Sequence, residues 1–99
     1  MSTTLAILLS ASAMVYVAEV ATFGCSSRPE VSKLQSLRSA VSTFKPLLTE
    51  QVAYGQCVTI PRGTEVEGSN VDAGTATLLI NAKSDPPGYV VPLGDFKRK

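Results

Sequence analysis

The sequence predicts an α+β fold with an N-terminal apolar helix, an amphipathic helix, and then a small antiparallel β-barrel or curled sheet of about four strands. Three observations support this order. The first charged side chain is Glu19; apolar residues recur every three or four positions after Arg28; and short alternating apolar runs follow Gly55. We therefore expect a membrane anchor or signal segment at 1–24, a helical segment at 25–55, a β module at 56–96 and a basic tail at 97–99.

Composition argues against catalysis and against nucleic-acid binding. The 99 residues are enough for one domain, and their net charge of +1 gives no strong field for an acidic partner. The chain has no His, which removes the commonest general base and the commonest zinc ligand. A Ser–Lys nucleophile at Lys83-Ser84 is the remaining catalytic scheme, and its predicted loop position argues against it. We expect no enzyme, no cofactor and no metal site.

The N-terminal segment has the length of a membrane-spanning helix. Thr3 to Phe23 would extend about 30 Å as a helix, the thickness of a bilayer hydrocarbon core. Glu19 would then lie about 6 Å from the Phe23 end, within reach of the headgroups. This interpretation predicts a membrane contact through residues 1–24.

Two other interpretations of this segment stay open. One is an export signal, either cleaved after Ala11-Ser12-Ala13 or lipidated at Cys25, because the run from Thr22 to Ser27 resembles a bacterial lipoprotein signal. In the other, Leu5 to Val20 packs as a helix or strand inside a water-soluble protein.

The two cysteines, Cys25 and Cys57, are candidates for a disulfide, and Cys25 is also the candidate for lipidation. In an oxidising compartment, a bond closing this loop of roughly 30 residues would contribute about 3–4 kcal/mol to stability. The alternative is two reduced, unrelated thiols.

A helix is predicted to begin at Ser27, which can cap it, with Pro29 in the first turn and Glu30 completing a capping box. The helix is expected to run from Arg28 to Lys45, because Pro46 removes a backbone donor and disfavours helical geometry before it, which breaks or kinks the helix. A continuation from Leu47 to Tyr54, stopped by Gly55, stays open. Its apolar stripe consists of Val31, Leu34, Leu37, Val41, Phe44 and Leu48.

After Gly55 the pattern changes to that of strands separated by turns. Pro61-Arg62-Gly63 predicts one turn, and residues 85–88, with two prolines and a glycine, predict another. The stretch from Gly68 to Gly74 is expected to be a loop. The four predicted strands are Gln56 to Ile60, Thr64 to Glu67, Thr75 to Ala82 and Tyr89 to Pro92.

Part of this β-half resembles bacterial SH3-like barrels. The similarity lies in Ile60-Pro61-Arg62-Gly63-Thr64-Glu65-Val66-Glu67, in a middle strand ending near Ile80, and in Gly88-Tyr89-Val90-Val91-Pro92-Leu93. The resemblance implies a binding module, often associated with the cell envelope, and no catalysis. It also implies a ligand groove whose aromatic candidates are Tyr54, Tyr89 and Phe96.

Together these features predict a small non-catalytic protein, membrane-anchored or exported, that acts as a binding module of the cell envelope. Its expected partners are the membrane, through residues 1–24, and a protein or another envelope component. The alternative is a soluble intracellular interaction or regulatory protein, for example one encoded by a mobile element, with the N-terminal segment in its core.

Overall fold

The computed structural model describes residues 14–84 and 86–99. They form seven strands, two α-helices and a 3-10 turn at Leu93–Asp95. In chain order the helices and strands are β1 (Met14–Ala18), β2 (Thr22–Cys25), α1 (Arg28–Ser36), α2 (Val41–Ala53), β3 (Cys57–Ile60), β4 (Glu65–Asp72), β5 (Thr77–Ile80), β6 (Val90–Pro92) and β7 (Phe96–Arg98).

All seven strands join one sheet in the order β3-β2-β6-β5-β4-β1-β7, and every pairing is antiparallel. β1 lies between β4 and β7, while β2 lies between β3 and β6. Residues 14–24, predicted as part of the apolar N-terminal segment, therefore supply β1 and most of β2, both internal strands. The predicted fold class was wrong on this point, and the sheet has seven strands where about four were expected.

The composition of the apolar run explains why it forms strands. β-Branched and aromatic residues such as Val15, Tyr16, Val17 and Phe23 favour a pleated, half-buried surface. In β1 the side chain of Tyr16 is buried while Val15 is exposed, the alternation expected of a strand. Of the helices in the described part of the chain, neither has the length and hydropathy needed to cross a membrane. The predicted cleavage site at residues 11–13, like the rest of the segment before Met14, lies outside the described residues.

Two hydrophobic clusters occupy opposite faces of the sheet. The alternation of side chains in β6 separates them, because Val90 belongs to one cluster and Val91 to the other. The helix-covered cluster consists of Phe23, Cys25, Val31, Leu34, Cys57 and Val90, and α1 and α2 pack over it. The opposite cluster is made of Tyr16, Ala18, Ile60, Val66, Leu78, Ile80, Val91 and Phe96.

The start of α1 is as predicted, but its end is not. Ser27 caps the helix, its Oγ accepting a hydrogen bond from the Glu30 N–H at 3.4 Å. The helix ends at Ser36, and tight i→i+3 bonds such as Arg38 N–H to Gln35 O, 3.2 Å, turn the chain into α2. Pro46 lies inside α2 and does not end it; the missing N–H leaves one carbonyl of the first turn without its helical partner.

The later strands also differ from their predicted bounds. β4 continues to Asp72, through the predicted loop, and β5 begins only at Thr77. Gly68 allows this pairing, because a Cβ at that position would lie 2.8 Å from a methyl carbon of the buried Leu78. The predicted basic tail is partly strand β7, and Lys99 pairs with Glu65 at 2.8 Å. The resemblance to SH3-like barrels stays a prediction.

Candidate functional site

A groove lies between the first half of α2 and the strand pair β2–β3. Its volume is about 410 Å³, and it opens to solvent on one side. Its floor comes from the strands and its wall from the helix, so it depends on how α2 is seated on the sheet. The lining residues are Ala21, Thr22, Phe23, Arg38, Phe44, Lys45, Leu48, Thr59, Ile60 and Pro61.

Phe23 forms the apolar base of this groove. Its side chain is almost completely buried, and the Phe44 ring meets it edge to face, with 5.6 Å between ring centroids. The Arg38 guanidinium lies over the same ring, 5.6 Å from its centroid. Contacts from α2 and from the segment between the helices therefore fix one aromatic surface.

Asp95 holds Arg38 in this position. Its carboxylate accepts hydrogen bonds from Arg38 Nη1 at 2.5 Å and from the Thr22 hydroxyl at 2.6 Å. The Asp95 backbone carbonyl also accepts from the Glu19 N–H at 2.8 Å. Since Asp95 side-chain atoms are only 15% exposed, the network ties the C-terminal turn to the groove in a partly desolvated place.

The rim of the groove is cationic. The described residues that line it include Arg38 and Lys45 and no carboxylate. Arg38 is neutralised by Asp95, whereas Lys45 is exposed and forms no ion pair within the part of the chain that the structure describes. The charge offered to a ligand is therefore mainly that of Lys45.

A second groove lies on the other face of β3. It has a volume of about 330 Å³, and Thr59, Ile60 and Pro61 line both grooves. The remaining residues of the second groove are Val58, Thr64 and Pro86. β3 thus carries a depression on each of its faces at the same place along the strand.

The disulfide between Cys25 and Cys57 lies in the helix-covered cluster that extends from this groove. The two residues are directly opposed on β2 and β3, and both side chains are buried. In this structure the Cys25 sulfur is bonded to Cys57, so it is not free for a thioether to lipid.

The three aromatic residues proposed from the sequence do not meet at one site. Tyr54 is 71% exposed just after α2, and Tyr89 is half-buried before β6. Phe96 belongs to the cluster on the opposite face of the sheet, where it is buried. The structure brings together Phe23, Phe44, Arg38 and Lys45 instead. Phe44 had been assigned to the amphipathic stripe, but its meeting with Phe23 depends on a pairing that no local pattern reveals.

The described side chains of the first groove determine which kind of ligand it suits. Among residues 14–84 and 86–99, no group of three His, Cys, Asp or Glu side chains is placed to hold a metal ion. The Ser84 hydroxyl accepts a hydrogen bond from the Glu67 N–H at 3.0 Å, beside β1 and β4, neither of which lines the first groove. A fixed aromatic base with cations at its rim suits an apolar ligand that carries a negative charge.

Comparisons with protein-family models, with curated protein sequences and with solved structures yield no match to this chain.

Proposed function

We propose that this chain is a small non-catalytic binding protein of the cell envelope, exported to an oxidising compartment, with the groove between α2 and β3 as its binding surface. The observation that carries the proposal is the buried disulfide between Cys25 and Cys57. Such bonds persist in oxidising compartments and are rare in the cytosol, where thiol systems keep cysteines reduced. The bond lies next to the groove, so it supports the surface as well as the fold.

The groove supports binding by being formed in advance. Phe23 is held by contacts with Phe44 and with Arg38, and Arg38 is itself held by Asp95. A ligand that meets a rigid surface loses less free energy to the ordering of side chains. The disulfide adds to this effect by holding β2 against β3.

Export fits this fold better than anchoring through residues 1–24. Met14–Ala18 and Thr22–Cys25 are internal strands, and a residue cannot be in the sheet and in a membrane-spanning helix at once. The proposal therefore keeps the envelope location and gives up the helical anchor over residues 14–24.

A soluble intracellular interaction protein is the second candidate. The packing of Met14–Ala18 inside the sheet favours it, because that alternative expects the N-terminal segment in the core. It also expects two reduced thiols, and the disulfide argues against that.

The oxidation state of the two cysteines in the cells that make the protein tests the proposal. Cells are lysed in denaturant that contains a maleimide, and the intact mass is measured before and after reduction. We expect no maleimide on Cys25 or Cys57 before reduction and two after it, and we expect the protein outside the cytosolic fraction. The matched control is Cys57→Ala, in which the remaining thiol must react without reduction.

The opposite result is two maleimides without reduction, on protein that fractionates with the cytosol. It would overturn export and favour the intracellular alternative.

A further inference from the structure

We propose that the partner is an extended peptide segment of another protein, which adds to the sheet as a strand beside β3 and places a carboxylate at Lys45. The inference rests on the proposed binding role and names the class of ligand for the same site. It follows from the free edge of β3, from the groove on each of its faces, and from the charge at the rim.

The backbone groups that β3 turns away from β2 show where an added strand could pair. β3 is the last strand of the sheet, with β2 as its one neighbour in the described part of the chain. The Ser26 N–H donates to the Gln56 carbonyl at 2.9 Å. In an antiparallel pair, hydrogen-bonded and non-hydrogen-bonded residue pairs alternate, so this bond shows which residues of β3 are hydrogen-bonded to β2. Gln56, Val58 and Ile60 therefore face β2. The backbone N–H and C=O of Thr59, an exposed residue, face away from the sheet.

The two grooves match the geometry of an added strand. Successive side chains of an extended peptide point to opposite faces. Thr59, Ile60 and Pro61 line a groove on each face of β3, so a peptide paired with Thr59 would place neighbouring side chains in the two grooves. Backbone bonds at a sheet edge with pockets for alternate side chains are the features of recognition by strand addition.

The opposite edge of the sheet is protected and β3 is not. β7 and the residue after it carry Lys97, Arg98 and Lys99, and charges of this kind on an edge strand discourage pairing with another chain. β3 (Cys57–Ile60) contains no charged residue. Of the two edges that the described strands form, one is thus blocked by charge, while the edge beside the aromatic groove has no described strand or charged strand residue covering it.

The positive charge at the rim of the groove determines which peptide sequences should bind. Lys45 is the exposed cation at the rim, and Arg38 contributes less because Asp95 already binds it. A Glu or Asp side chain next to an apolar one would meet Lys45 while its neighbour packs on Phe44 and Leu48, which are only partly buried. The expected ligand is therefore a β-prone segment with one carboxylate, and a peptide with Lys in place of that carboxylate should be rejected.

The test is selection of seven-residue peptides from a random displayed library on the full-length, oxidised protein, followed by titration of the selected peptide as a synthetic ligand. We expect binders rich in β-branched residues with an acidic residue, and we expect amide shifts centred on Thr59 and Phe23.

Lys45→Glu should weaken binding about three- to tenfold, while Lys33→Glu, a matched reversal on exposed α1 surface, should not.

The strand register is tested on the peptide, so that no protein variant has to fold. N-methylation at alternate residues of the selected peptide should weaken binding more than about tenfold in one register and leave it nearly unchanged in the other. A helical or side-chain-only mode of binding would not show this two-residue period.

Several results would overturn the inference. They are the absence of any binder, shifts centred on β7, equal effects of N-methylation at all positions, binders without acidic residues, and pairing of two copies of this chain through β3.

The maleimide experiment is independent of these outcomes. Reduced thiols alongside confirmed peptide binding would refute only the location, while oxidised thiols without binding would refute only the peptide.

Discussion

A chain shortened to residues 25–99 should fail to fold. The deletion removes β1 and the first three residues of β2, and with them the buried Phe23, Tyr16 and Ala18. β4 and β7 lose the strand between them, and β3 loses the strand that joins it to the sheet. We expect no cooperative unfolding transition in urea and no dispersed amide spectrum. An anchor at residues 1–24 would predict the reverse, a folded β module released into the soluble fraction.

The substitution Val15→Lys distinguishes a strand in the sheet from a membrane-spanning helix at the same residues. Val15 is exposed on β1 and opposes Glu67 on β4, so a lysine there gains a cross-strand partner of opposite charge. We expect the variant to fold with a free energy of unfolding within about 0.5 kcal/mol of the parent chain. The same lysine inside a spanning helix would cost about 2.5–3.5 kcal/mol of insertion free energy and would block membrane insertion. Folding of the shortened chain, or loss of folding in Val15→Lys, would contradict the placement of β1.

Removal of the disulfide has the second-largest expected effect. The bond joins residues 32 apart, and the loop it closes contains both helices. Closing a loop of this length contributes about 3–4 kcal/mol in the chain-entropy treatment. A domain of this size has a free energy of unfolding of about 5–15 kcal/mol, so the loss is a large share of it.

The measurement is equilibrium urea unfolding of the oxidised protein and of the double variant Cys25→Ala, Cys57→Ala. We expect the variant to lose about 3–4 kcal/mol, and reductant should destabilise the parent chain while leaving the variant unchanged. α2 has no fully buried side chain, so its amides should be the first to lose protection from hydrogen exchange. A loss below about 1 kcal/mol would show that the bond does not hold the helices in place.

The sequence predicted those elements whose signals are local. The capping group Ser27 and the proline at the second position of α1 act within the first turn, so their combination is visible in the local sequence. The turn at Pro61–Gly63 is equally local, since Gly63 adopts a φ of 88° that glycine tolerates. β3, β5 and β6 were found within three residues of their ends.

The N-terminal segment was misassigned because its signal is ambiguous. A long run without charge fits a membrane helix, but it equally fits two internal strands of a sheet, joined here by residues 19–21. The β-branched residues Val15, Val17 and Thr22 were the available signal for strands. No local pattern identified the neighbouring strands. These are β4 and β7 for β1, and β3 and β6 for β2.

The groove was missed for the same reason. Phe23, Arg38, Phe44 and Asp95 lie in four different segments of the chain, and the sequence separation between Arg38 and Asp95 is 57 residues. Each residue alone has an ordinary explanation as an apolar or solvated side chain. These residues form one surface only because β2 pairs with β3 and α2 packs against this strand pair.

Nuclear Overhauser effects between backbone protons test the placement of residues 14–25 most directly. Alternation of the hydrogen bonds makes Val17–Glu65 a closely spaced, non-hydrogen-bonded pair of β1–β4, and Phe23–Thr59 a pair of the same kind in β2–β3. Strong Hα–Hα effects between the members of both pairs are the expected result. Sequential amide–amide effects running from Met14 to Phe23, with no cross-strand contact to Glu65 or Thr59, would mean that the segment is a helix and would contradict the sheet, the groove and the proposed binding edge together.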